Sequence, residues 1–199
     1  DASPFLEHRF LEGLERFGCA TPKTGWTPRP ILLYNEERLV GGAPGWVKTH
    51  SMGEFVYDHS WADAATRAGY RYYPKLVLAV PFTPVEGPRM LLAADAPDGA
   101  FQALLRGVLE AGKDCLGVHW LFHPGEAAAR LEPLGLFPRL QFQFHWTNDN
   151  YSNFEEYLAR FRSKRRNKIR RERKQAAQFR LEEGTAPDAR RLSALHHFY

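Results

Sequence analysis

The sequence predicts an α/β fold, a mixed sheet covered by helices, followed by a long basic helix that leads into the start of a second domain. Three observations carry that expectation. Short apolar runs of strand length alternate with amphipathic segments after an opening hairpin, the order expected when helices cover a sheet. Fourteen Phe, eight Tyr and five Trp in 199 residues, 44% of them hydrophobic, supply enough apolar area for a true core. Ten of the fifteen residues in 160–174 are Lys or Arg, so that window carries +9 and the rest of the chain −5, against a total of +4.

The elements follow in order. Phe5, Leu6, Phe10, Leu11, Leu14 and Phe17 fall on one face of a helix over 5–17, with Ser3 as N-cap and Pro4 at N1. A Pro/Thr/Gly-rich loop precedes two strands, 31–34 and 39–47, joined by a polar turn. Gly41, Gly42 and Pro44 predict a bulge or an edge position in the second. A short helix over 59–68 ends at Gly69, and 76–80 is a continuous apolar strand of the kind covered on both faces. Proline interrupts 81–88, and a brief strand is expected at 90–92. A helix over 99–110, a strand over 116–122, a helix over 124–134 and an alternating strand over 140–146 complete the first domain. Ser152 and Glu155 match a capping box, opening a helix whose Phe154, Tyr157, Leu158, Phe161 and Ile169 form an apolar stripe. A strand start at 179–181 and a helix over 188–199 would begin the next domain. The expected divisions are 1–148, 149–180 for the basic connecting helix, and 181–199 as a truncated second domain.

No run approaches the roughly 20 apolar residues that span a bilayer. Residues 1–20 are charged and helix-patterned, unlike a secretory leader. Cys19 and Cys115 stand far apart without metal-ligand spacing, which predicts a cytoplasmic protein with reduced thiols and no structural metal. The chain opens on Asp1 and stops at Tyr199 within an aromatic stretch, which predicts a fragment of a longer protein.

Several segments together resemble a known family. Trp46-Val47-Lys48-Thr49-His50-Ser51-Met52-Gly53-Glu54-Phe55-Val56-Tyr57-Asp58 is similar to a segment of the Fem-like N-acyltransferases, proteins of peptidoglycan biosynthesis or recognition. So are Arg71-Tyr72-Tyr73-Pro74-Lys75-Leu76, the stretch from Val80 to Arg89, Gln143-Phe144-His145-Trp146, and the helix from Lys164 to Arg173. The resemblance implies tandem domains of the GNAT type and transfer of an acyl or aminoacyl group to an amine. It leaves the donor open between acyl-CoA and aminoacyl-tRNA.

Within these segments, 48–58 gathers Lys48, His50, Ser51, Glu54, Tyr57 and Asp58. Amine acylation needs a base, and His50, Glu54 and Asp58 are the candidates. Lys48 or Tyr57 could stabilise an oxyanion. A polar loop that caps helices or meets solvent accounts for the same residues. Tyr72, Tyr73 and Lys75, then Arg89 after a proline-stiffened path, flank one strand. Arg89 either clamps a carboxylate or phosphate or forms a surface ion pair. Gln143 and His145 share a strand face, where a structural histidine competes with a substrate-binding one. Arg38-Leu39-Val40-Gly41-Gly42-Ala43 satisfies the R-x-x-G-x-A pattern of acyl-CoA loops, but on a strand with no helix following. No nucleophile elbow, Cys–His pair or zinc helix motif occurs, so direct attack by a bound amine is the economical chemistry.

In the basic helix, Lys164, Arg165, Arg166, Lys168, Arg170 and Arg171 would hold phosphates of a tRNA, nucleotide-sugar or acyl-CoA, or touch a membrane surface. Like charges at i, i+4 cost a few tenths of a kcal/mol per pair unless an anion offsets them. A solvated interdomain helix is the competing account. The functional alternative to a transferase is a non-catalytic module for anionic cell-wall precursors, tRNA or membranes.

Overall fold

The computed structural model describes residues 3–142, 144–181 and 188–198. It has a mixed α/β architecture with two compact units, Asp1–Phe142 and Gln143–Tyr199. Helix α1 (His8–Arg16) is preceded by a 3-10 turn over Pro4–Leu6. Seven strands follow in the first unit: β1 (Trp26–Pro28), β2 (Ile31–Asn35), β3 (Arg38–Ala43), β4 (Gly45–Lys48), β5 (Lys75–Leu78), β6 (Leu91–Leu92) and β7 (Val118–Trp120). Helices α2 (His59–Arg67), α3 (Ala100–Ala111) and α4 (Gly125–Leu131) interleave with them. The second unit holds α5 (Phe154–Ala159), α6 (Ser163–Ala176) and α7 (Ala189–Phe198).

The strands form two sheets where the sequence predicts one. The first has the order β1-β4-β5-β7, antiparallel except for the parallel β5–β7 pair; the second is the antiparallel β2-β3-β6. Pro44 divides the expected strand 39–47, because a residue without an N–H interrupts a ladder. Ala43 pairs with Ile31 in one sheet, and Gly45 pairs with Leu78 in the other. The bulge lies in β3: pairing steps from Leu33–Gly41 to Tyr34–Leu39, and Val40 is the extra residue. Being paired to both β2 and β6, β3 is central, not an edge.

Strand β5 is buried along its whole length, as its unbroken apolar run predicts. Its two faces serve two cores. Leu76 and Leu78 pack with Ile31 and Ala43 of the second sheet and with Leu104 and Val108 of α3, so α3 joins the sheets. Val77 and Ala79 pack with Trp26, Trp46, Val56 and Leu121, covered by Leu11 and Leu14 of α1. Each buried side chain of this size contributes about 1.5–3 kcal/mol. The Trp26 and Trp46 rings meet edge to face at 5.9 Å between centroids.

Four expectations need correction. The expected helix over 5–17 is split: Glu7 is extended, and the N-cap Ser3 makes no side-chain cap bond. No strand forms among the described residues of 140–146; alternation suits a strand, but a strand exists only by pairing, and the described residues here join no sheet ladder. Gln143, within that segment, lies outside the described residues. Residues 179–181 likewise form no strand. Finally, the basic helix is not continuous with the capped one. Extended backbone at Arg162 separates α5 from α6, which turns Arg160 onto Asp149 at 2.7 Å and sets Arg166 on the Phe161 carbonyl at 3.3 Å. The cap itself sits one residue later: Asn153 accepts from the Glu156 amide, and the Glu156 carboxylate accepts from the Ser152 amide. The expected terminal helix is present as α7, with Tyr199 outside the described residues.

Candidate functional site

The first sheet carries a polar layer at one end. Trp26, Lys48 and Lys75 are register neighbours across β1, β4 and β5, so their side chains share a face. Residues 49–58, which leave β4, fold back over that face. In this loop burial alternates: Ser51, Glu54, Val56 and Asp58 are buried, whereas Met52, Phe55 and Tyr57 are exposed.

Lys75 is the hub. Its ammonium donates to Asp58 Oδ2 at 2.6 Å, to Glu54 Oε2 at 2.8 Å and to Ser51 Oγ at 2.8 Å. The Tyr72 hydroxyl donates to Asp58 Oδ2 at 2.8 Å, and the Ser51 and Tyr73 hydroxyls share a hydrogen bond of 2.7 Å. Lys48 donates to the Met52 carbonyl at 2.9 Å and stands 3.7 Å above the Trp26 ring. Two ammonium groups and two carboxyls are thus withdrawn from water together, with formal charges that balance. One oxygen of each acid, Glu54 Oε1 and Asp58 Oδ1, has no hydrogen-bond partner among the described residues.

The environment pulls these groups apart in acidity. Burial raises the Glu54 carboxyl above its ordinary range, against the pull of Lys75. Burial pushes Asp58 the same way, but the bond and charge of Lys75, with the hydroxyls of Ser51 and Tyr72, outweigh it and hold Asp58 well below the usual carboxylate range. Burial, with the like charge of Lys75, brings Lys48 down to about 8. Tyr72 is raised by burial and by donating to Asp58. His119, on β7 with its ring 5.9 Å from Tyr72, is brought down to about 4 by burial and then by the charge of Lys75.

His50 is half-buried beside this layer. Its Nδ1 accepts the Met52 amide at 3.2 Å, and burial followed by the charge of Lys48 lowers its pKa. A neutral ring in that arrangement carries its proton on Nε2, so its one lone pair is already engaged. A Cβ on Gly25, which is left-handed at φ +75°, would sit 2.1 Å from His50 Nε2. Phe55 and Tyr57 also have left-handed backbones, at φ 60° and 50°, a conformation costing bulky residues about 1–3 kcal/mol each. The buried ion cluster supplies the compensating hold.

The loop and β5 thus bring Lys48, Ser51, Glu54, Asp58, Tyr73 and Lys75 into one cluster, with His50 at its margin. Tyr57 is part of the loop but points to solvent. Arg89 is neither of the things its sequence context suggests. It is buried, donates to the carbonyls of Val85, Gly87 and Pro88, and is lowered by burial to about 10. It ties a proline-rich turn to itself. Trp26 and His119 are members of the layer that sequence reasoning missed. A lone histidine inside an apolar strand pattern is the only signal for His119; the position of Trp26 depends on register. Among the described residues no group of three metal-ligating side chains gathers, and no helix is long and apolar enough to cross a membrane.

His145 and the basic residues belong to the second unit. There Arg170 pairs with Glu155, Lys168 lies 3.7 Å from Glu172, and Arg173 stands 3.8 Å over the Phe154 ring. The contacts of Arg170 and Arg173, with that of Arg166, turn one side of α6 towards α5. The other side presents Lys164, Lys168 and Arg171 at i, i+4 and i+7, a row of about 10 Å. Arg162, Lys164, Arg165, Asn167, Lys168 and Arg171 line a shallow recess along it.

The model of the FemAB-like family, described as peptidoglycan biosynthesis/recognition, matches residues 1–199. The chain belongs to the FemAB-like family. No curated protein and no solved structure gave a match. Both features of this FemAB-like chain, the lysine–carboxylate layer and the basic row of α6, lie within the matched span.

Proposed function

We propose that this FemAB-like chain is part of an N-acyltransferase that moves an acyl or aminoacyl group onto an amine of a peptidoglycan-related acceptor in the cytoplasm. The observation that carries the reading is the row Lys164, Lys168 and Arg171, which, apart from the long contact to Glu172, meets no acid among the described residues. Cations so arranged serve to hold phosphates, whether those of aminoacyl-tRNA, acyl-CoA or a nucleotide-sugar. GNAT-type domains fit the interleaved helices and strands.

The chemistry asked of the protein is small. The neutral amine attacks the donor carbonyl, a tetrahedral oxyanion forms, and collapse expels the donor alcohol or thiol while the nitrogen loses a proton. Glu54, whose carboxyl pKa burial raises, is the proton acceptor of choice. Because it is buried, it serves once the loop 49–58 moves. Asp58 and Lys75 act through Glu54 as positioning residues. Lys48, Ser51 and Tyr73 line the same place, and His50 and Tyr57 stand at its rim as donors.

Binding of tRNA, acyl-CoA and a nucleotide-sugar at two salt concentrations tests the phosphate row. Replacing Lys164, Lys168 and Arg171 together by Ala should weaken the true ligand and reduce the slope of log K on log salt by about 2–3. An unchanged affinity and slope would remove α6 from the reading. Binding to anionic vesicles alone would favour a membrane-recognition module instead.

A further inference from the structure

We propose that Lys48 and Lys75 form a dicarboxylate-binding site on the sheet that the chain's own Glu54 and Asp58 occupy, and that a ligand bearing two carboxylates takes their place and displaces the loop 49–58. The inference does not depend on acyl transfer.

The two lysines are register partners on adjacent strands, project from the same face and are both fully buried. Like charges placed side by side out of water require anions, and the strands holding them are fixed by β1 and β7 on either side. What surrounds them is a set of donors. Lys48 and Lys75 offer ammonium hydrogens, Tyr72 donates to a carboxylate already, and the buried Trp26 Nε1 has no acceptor among the described residues. Such a set recognises oxygen anions.

Both acids bond Lys75, while Lys48 is met by the Met52 carbonyl and the Trp26 ring, so the present occupants fill the site incompletely. Glu54 Oε1 and Asp58 Oδ1 are buried without a hydrogen-bond partner among the described residues. A Cβ on Gly53 would lie 3.3 Å from Trp26 Nε1, so the loop backbone covers that donor without accepting from it. The acids arrive on a segment without helix or strand, whose Phe55 and Tyr57 are held in left-handed conformations. Departure of the loop would release those conformations and uncover Trp26 Nε1. An internal ligand with unused oxygens, on a strained tether and over an unused donor, is replaceable by a free molecule of the same chemistry.

The experiment is hydrogen exchange of the amides in 51–58, with glutarate as probe and acetate at equal ionic strength as control. Glutarate, up to tens of millimolar, should accelerate exchange across the loop saturably, while acetate should not. Glu54→Gln removes an internal competitor and should tighten glutarate binding about tenfold; Lys75→Met should abolish it. No glutarate effect on the unmodified chain, or the same effect from acetate, overturns the proposal. So does an affinity that Glu54→Gln leaves unchanged, and both readings stand even if Lys75→Met fails to fold. Exchange is read without turnover, so failure of the transferase assay and failure of this site are separate outcomes.

Discussion

Lys75 Nζ and Asp58 Oδ2 lie 2.6 Å apart with both side chains wholly withdrawn from solvent, which makes this ion pair the tether of the loop to the sheet. Removing one member of a buried pair leaves the other uncompensated, at about 3–5 kcal/mol. Lys75→Met should therefore lower the urea midpoint by that equivalent. A loss below about 1 kcal/mol would mean that the cluster is open to water and does not anchor the loop.

His119 gives the acid limb of stability a distinct origin. Its folded pKa is lowered to about 4 from an ordinary 6.5, so between these values the unfolded chain binds a proton that the folded one refuses. Its contribution is complete above pH 6.5 and is lost as pH falls towards 4, at up to about 1.4 kcal/mol per pH unit. His119→Gln should flatten the dependence of unfolding free energy in that window. Asp58, depressed instead, gives stability that persists to lower pH and is lost as pH falls from the ordinary carboxylate range towards its folded value. An unchanged slope for His119→Gln would show that another group titrates there.

Gly25→Ala should move His50. The new Cβ meets a left-handed φ of +75° and falls 2.1 Å from Nε2, so the ring must leave its place against the β1 turn. The expected cost is about 1–2 kcal/mol, and the imidazole resonances should shift while those of His119 stay. Stationary His50 resonances would place the ring elsewhere.

Arg89 serves the fold. Arg89→Met leaves three carbonyls of a part-buried turn without their donor, at about 1 kcal/mol in thermal or urea unfolding. Arg89→Lys should recover little, because one ammonium cannot reproduce the guanidinium fork. Full recovery by Lys would show that only the charge matters.

Much of this was legible in the chain, and where it was not the reason is physical. The apolar run of β5, the amphipathic α3, the loop residues 48–58 and the charge concentration of α6 each express a local pattern. A pattern in one segment says which faces want burial. It does not say what covers them. Lys48, Glu54 and Asp58 could be read as chemically able residues, but register alone put Lys48 beside Lys75 and Trp26. Likewise Arg89 could be read as an anion clamp or a surface ion pair until its own turn supplied the acceptors.

By itself, then, the sequence determined the periodicities, the two charge regimes and the family. Tertiary structure decided that Pro44 sends one apolar run into two sheets, that the described residues of 140–146 join no sheet, and that the acids of the loop close on Lys75. The reason is that pairing and desolvation act between residues far apart in the chain. Neither leaves a trace in the spacing of either residue alone.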